Sequence, residues 1–223
     1  MREELRQAKR VIVKVGTSSL THANGRINID KMEVLVRQIC NLANAGKEMI
    51  LVSSGATAAG LPSLGFTSRP DDIALKQAAA SVGQGILLHM YEKLFAEYGH
   101  TVGQILVTRE DTVKRSHYLN LRNTLTALIG LGVIPIINEN DVVAIDEFKI
   151  GDNDTLSANI ASIIDADALI ILSDIEGLYT ANPSTNPTAT LIHEVEALTS
   201  YIYEISGGAA LQTGTMVLKN GNY

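Results

Sequence analysis

Short runs of β-branched and other apolar residues recur along the chain, and the stretches between them repeat their apolar positions every three to four residues. That alternation predicts a mainly parallel sheet covered by helices on both faces, because strands buried on both sides read as continuous apolar runs. The runs are RVIVKVG (10–16), EMILVSSG (48–55), TVGQILVT (101–108), VIPIIN (133–138) and ALIILSD (168–174). Between the first two, residues 28–47 set Met32, Leu35, Val36, Ile39, Leu42 and Ala43 on one stripe, and Gly46 suits a helix stop. A longer helix is predicted over about 71–98, opened by Asp71 and Asp72 and closed by Gly99, and a third over about 117–131, ahead of Gly132. Gly83 and Gly85 inside the long helix each cost about 1 kcal/mol relative to Ala. They point either to the close approach of another helix, as at a dimer interface, or to a bend. Residues 180–190, TANPSTNPTAT, read as a surface loop.

Composition narrows the function classes. The chain has 223 residues, 46% of them hydrophobic, and carries a net charge of -6. This supports one sizeable core and disfavours disorder or nucleic acid as the main partner, since phosphate binding needs a clustered basic face. Cys40 is the one cysteine, so neither an intrachain disulfide nor a cysteine zinc site is available. No run reaches the roughly 18 apolar residues of a membrane span, and the N-terminus lacks a signal-peptide apolar stretch. A cytoplasmic protein without membrane partners is the default expectation.

In doubly wound sheets, ligands bind beyond the carboxyl ends of the strands. Here those ends carry Lys14 to Ser19, Ser53 to Ala56, Asn138 to Asp141, and Ser173 with Asp174. Small residues, hydroxyls, carboxamides and carboxylates thus converge on one edge, as a site for a phosphorylated or zwitterionic small molecule requires. Lys14 sits in an apolar strand, so it either snorkels out or meets an anion. Gly16 lets the backbone approach a ligand. Ser53-Ser54-Gly55-Ala56 has the form of a strand-to-helix turn that caps a helix or holds an anion. Residues 137–154 hold Glu139, Asp141, Asp146, Glu147, Asp152 and Asp154 beside Asn138, Asn140, Asn153 and Lys149. Asp152 or Asn153 would cap the helix that follows. P-loop, dinucleotide-fold, serine-elbow and protein-kinase motifs are all missing, and the five histidines show no metal-ligand spacing.

Taken in order, VKVGTSS (13–19), LVSSGATAAG (51–60), INENDVV (137–143), KIGDNDTLSA (149–158) and LSDIEGLYTANP (172–183) resemble the glutamate 5-kinases of the amino-acid-kinase family. The resemblance implies an αβα sandwich with a mainly parallel central sheet, the carbamate-kinase-like fold. It also implies phosphorylation of the side-chain carboxylate of L-glutamate by ATP with Mg²⁺, the first step of proline biosynthesis, with proline as feedback inhibitor. By the same resemblance, Lys14 contacts the ATP phosphates, and Ser54, Gly55, Asp141 and Asn153 bind glutamate. Lys149 would neutralise phosphoryl charge, and Asp152 would organise the lysines. Gly16, Ser173 and Asp174 fall at the nucleotide. The family pattern T-G-G-M-x-T-K matches residues 213–219, TGTMVLK, in part: Thr213, Gly214, Met216 and Lys219 conform, and Thr215 and Leu218 depart. These expectations make 1–223 a single kinase domain, incomplete at its C-terminal part and without an appended RNA-binding-type domain. A homo-oligomer, dimer or tetramer, is expected. Another acid kinase of the family, or a glutamate- or proline-binding regulatory module without turnover, are the alternatives.

Overall fold

The computed structural model describes residues 2–144 and 153–207. Among the described residues, five parallel strands form one sheet in the order β3-β4-β2-β1-β5: β1 (Arg10–Val15), β2 (Glu48–Ser53), β3 (Val102–Val107), β4 (Ile134–Glu139) and β5 (Ala168–Leu172). Each falls within one of the five apolar runs, apart from the last residue of β4. The helices are α1 (Arg2–Gln7), α2 (Thr17–Leu20), α3 (Ile29–Asn44), α4 (Ala56–Gly60), α5 (Ile73–Glu97), α6 (Arg109–Val113), α7 (Arg115–Gly130), α8 (Asn153–Ile163) and α9 (Ser200–Gly207).

Strand alternation assigns each side chain to a face. Val11, Val13, Val15, Met49 and Leu51 pack with Met32, Val36 and Ile39 of α3 and with Leu87, Tyr91 and Phe95 of α5. Ile12, Ile50 and Val52 turn the other way, onto Leu125 of α7 and Leu156, Ile160 and Ile163 of α8. The result is the expected αβα sandwich, with one buried apolar cluster on each face of the sheet.

Local chemistry sets the helix ends. Asn28 accepts from the Lys31 amide at 3.0 Å and starts α3. The long helix begins two residues later than the acidic pair suggests, because Asp72 is its cap, accepting from the Leu75 amide at 2.9 Å. The third helix starts at Arg115 and is preceded by α6, where Thr108 and Asp111 form a reciprocal capping box. That box is legible as T-x-x-D, and sequence reading passed over it.

The two helix glycines turn out to differ. A Cβ on Gly83 would lie 1.7 Å from the Ala56 carbonyl oxygen, and one on Gly60 would lie 2.0 Å from that of Ala79. Gly83 therefore serves a close approach, with α4 of the same chain as its partner. A Cβ on Gly85 would meet nothing within 4 Å.

Candidate active site

The carboxyl ends of β1, β2, β4 and β5 and the first turn of α8 meet above the sheet. β2 ends at Ser53, whose hydroxyl turns into the core and shares a 2.8 Å hydrogen bond with the Tyr91 hydroxyl. Burial raises the Tyr91 phenol far above its ordinary range, so this bond joins two neutral groups. The next residue points the opposite way: Ser54 reaches the rim. Gly55 then takes a left-handed conformation, φ 105° and ψ 0°, and turns the chain directly into α4. A side chain there would be strained, which explains a glycine at that point.

Asn138, at the end of β4, donates to Gln84 Oε1 of α5 at 2.8 Å and accepts from Asn153 Nδ2 at 2.9 Å. Asn153 Nδ2 also donates to Ser54 Oγ at 2.7 Å. One chain of amides and a hydroxyl thus ties α5, on one face, to α8, on the other, across the tips of β4 and β2. Asn153 is the first residue of α8 and spends its side chain on this network. It is therefore not the helix cap that was offered as one expectation.

Asp154, next along, points about 100° around the helix and ion-pairs with Lys14. Lys14 is 8% exposed, on the same face of β1 as Ile12. Adjacent residues of one helical turn therefore serve the two halves of the rim, and Lys14 and Asn153 lie on the same side of the sheet. Gly16 completes the β1–β5 side of this edge: a Cβ there would lie 3.5 Å from Lys14 Nζ and 4.0 Å from the Leu172 carbonyl oxygen. The β1–β5 register, with Val15 opposite Leu172, sets Ser173 and Asp174 beside Gly16. Ser173 Oγ donates to Asp174 Oδ1 at 3.2 Å.

A cavity of about 430 Å³ opens over the α4 side of this rim. It is lined by Ser54, Gly55, Asp141 and Asn153, all four residues expected to bind the acid, together with Thr17, Ala56, Thr57, Ala58, Leu61, Arg69, Asn138 and Glu139. Its size suits a small amino acid. Lys149, Asp152, Thr213, Gly214, Met216 and Lys219 lie outside the described residues. Among the described residues, the carboxylate that organises Lys14 is Asp154, a position that the sequence reading noted without giving it a role. Thr17 fell within the first strand tip without a role of its own, and Arg69 and Gln84 were missed. The signal for Asp154 was available, since consecutive polar residues opening a helix must diverge. For Arg69 and Gln84 there was none, because only tertiary packing brings a loop and a mid-helix position to the rim. Among the described residues no group of three or more His, Cys, Asp or Glu side chains is placed to hold a metal.

The profile of the amino acid kinase family matches residues 9–219. The chain belongs to the amino acid kinase family. It is 52% identical over 217 residues to the glutamate 5-kinase of Moorella thermoacetica, covering 96% of this chain and 57% of that protein. It is 53% identical over 214 residues to the glutamate 5-kinase of Clostridium tetani, covering 96% and 80% respectively. The chain thus spans little more than half the length of the first relative. Among solved structures, isopentenyl phosphate kinase superposes with a TM-score of 0.59 at 18% identity, covering 84% of this chain and 81% of that one. That likeness shows that the two chains share a fold. No helix among the described residues is long and apolar enough to cross a membrane.

Proposed function

We propose that this family member transfers the γ-phosphoryl group of ATP to the side-chain carboxylate of L-glutamate, giving L-glutamyl 5-phosphate for proline biosynthesis. One observation carries the reading: Asn153, on the wall of the acid-sized cavity beside Ser54, is followed directly on α8 by Asp154, which ion-pairs with the buried cation Lys14 at the tip of β1. A carboxylate in the cavity can therefore lie end to end with a triphosphate over β1 and β5. The names of the two glutamate 5-kinase relatives support the choice of acid.

In this reading a γ-carboxylate oxygen attacks the γ-phosphorus in line, the bond to the β,γ-bridging oxygen breaks, and ADP leaves. The nucleophile is already ionised at neutral pH, with a reference pKa of about 4.3, so no general base is required. Catalysis rests on alignment and charge neutralisation. Lys14 supplies a fixed cation at the strand tip, oriented by Asp154, with Lys149 and Lys219 as further phosphate lysines and Asp152 as a second organising carboxylate. Asp141 takes the ammonium of glutamate, while Ser54, Gly55 and Asn153 hold its reacting side-chain carboxylate. Gly16, Ser173, Asp174, Thr213, Gly214 and Met216 line the nucleotide side. Mg²⁺ enters with ATP as part of the substrate. Proline as a feedback inhibitor and a homo-oligomeric assembly belong to the same reading.

Coupled ADP release with glutamate, aspartate and N-acetylglutamate tests it. Turnover with glutamate alone is expected. Turnover only with another acid would identify a different acid kinase, and binding of glutamate or proline without turnover would identify a regulatory module.

A further inference from the structure

The cavity lining is unbalanced in a way that bears on how the acid is recognised. Glu139 and Asp141 bring two carboxylates, and Arg69 is the one cation among the described residues that line it. An amino acid with a side-chain carboxylate carries an ammonium and two carboxylates. The reacting carboxylate must face the Asn153 and Lys14 side, and the acidic pair suits the ammonium. The remaining α-carboxylate then needs donors of its own.

Arg69 is placed to supply them. It stands in the segment between the Pro62–Leu64 turn and α5, on the wall of the cavity formed with Leu61. The backbone bond from the Phe66 amide to the Leu61 carbonyl, 3.0 Å, ties the start of that segment to the end of α4. The side chain is exposed and makes no ion pair or hydrogen bond among the described residues. Its guanidinium therefore keeps its donors for a ligand, and a planar fork matches a carboxylate in bidentate geometry. We propose that Arg69 is a specificity-determining residue that binds the α-carboxylate of the acceptor amino acid, opposite Asp141 at the ammonium. This rests on the acceptor reading given above and adds the residue that separates an α-amino acid from an acid lacking the α-carboxylate.

The test compares L-glutamate with its α-amide, which keeps the ammonium and the reacting carboxylate but loses the charge that Arg69 would meet. In the full chain, Arg69→Ala should raise the glutamate KM by about 10-fold to 100-fold, the range for losing a charge-assisted hydrogen bond, with a smaller effect on kcat. The KM for the α-amide should hardly move, so the kcat/KM preference for glutamate collapses. Arg69→Lys, which keeps the charge but loses the fork, should restore part of that preference. An unchanged preference in Arg69→Ala overturns the assignment, even if both substrates are used less well, because a merely structural residue would lower the two together. Absence of glutamate turnover in the unaltered chain would instead remove the acceptor reading itself.

Discussion

The two ends of the sheet use similar polar residues to opposite effect. At the amino ends of β1 and β5, polar groups pair closely with one another within the chain. Asp167 accepts from the Lys9 and Arg10 amides at 2.8 and 2.7 Å, Arg10 Nε meets Glu48 at 2.8 Å, and Lys47 Nζ donates to the Arg6 carbonyl at 2.8 Å. At the carboxyl ends, the amides of Asn138 and Asn153 link into a network bordering an open cavity, and Arg69 is left without an internal partner among the described residues. Closed pairing fastens strands and helices together. Open pairing keeps donors and acceptors fixed in direction yet available, which is what preorganised catalysis requires. Substitutions at the closed end should therefore move stability without chemistry, and those at the open end chemistry before stability.

The largest expected departure is at Lys14. Lys14→Ala should lower kcat by about 10²-fold to 10³-fold through loss of a preorganised charge, read in single-turnover experiments with circular dichroism confirming the fold. Near-normal turnover would place the phosphates elsewhere. Next comes Asp141→Asn, expected to raise the glutamate KM by about 10-fold to 100-fold with a much smaller change in kcat. An unchanged KM would remove it from the acceptor site.

Gly83 tests the link between packing and site, since α4 follows directly from Gly55. Gly83→Ala must displace the Ala56 carbonyl and should cost about 1–3 kcal/mol of stability, with a higher glutamate KM alongside. Gly85→Ala, two residues away on the same helix, should stabilise by up to about 1 kcal/mol, since its Cβ would meet nothing within 4 Å. Equal unfolding midpoints for the two variants would refute the close approach as the reason for Gly83.

The smallest effect concerns acid stability at the closed end. The Arg10 amide foremost, with the Lys9 amide and nearby cations, holds the Asp167 carboxyl below its ordinary value despite some desolvation. A carboxyl whose folded value is depressed stabilises fully above its unfolded pKa of about 3.9 and loses that contribution as pH falls through the folded value. Asp167→Asn should thus flatten the acid limb of the stability curve in urea titrations, leaving kcat/KM at neutral pH unaltered. The same steep acid limb in the variant would assign it to other groups. Asp111 behaves alike: partial desolvation raises its carboxyl, yet the hydrogen bonds from Thr108 and the contact with His117 outweigh this and hold it low.

Strand identity, the main crossover helices and the polar residues at four of the strand tips were written in local pattern. Continuous Val/Ile/Leu runs, an apolar stripe at 3.6-residue spacing and caps at Asn28 and Asp72 depend on near neighbours, and near neighbours are what a sequence displays. Ser54, Gly55 and Asp141 were legible as neighbours because the ends of parallel strands must share one edge, whereas Asn153, at the start of α8, entered through the family resemblance. Pairing across the fold was decided elsewhere. Which serine of Ser53 and Ser54 faces the cavity depends on strand phase against Tyr91. The partner of Lys14 depends on the rotation of α8, and the arrival of Gln84 and Arg69 depends on α5 packing against α4 through Gly60 and Gly83. Those choices belong to contacts between residues far apart in sequence, whose energies exist only once both helical layers have closed over the sheet.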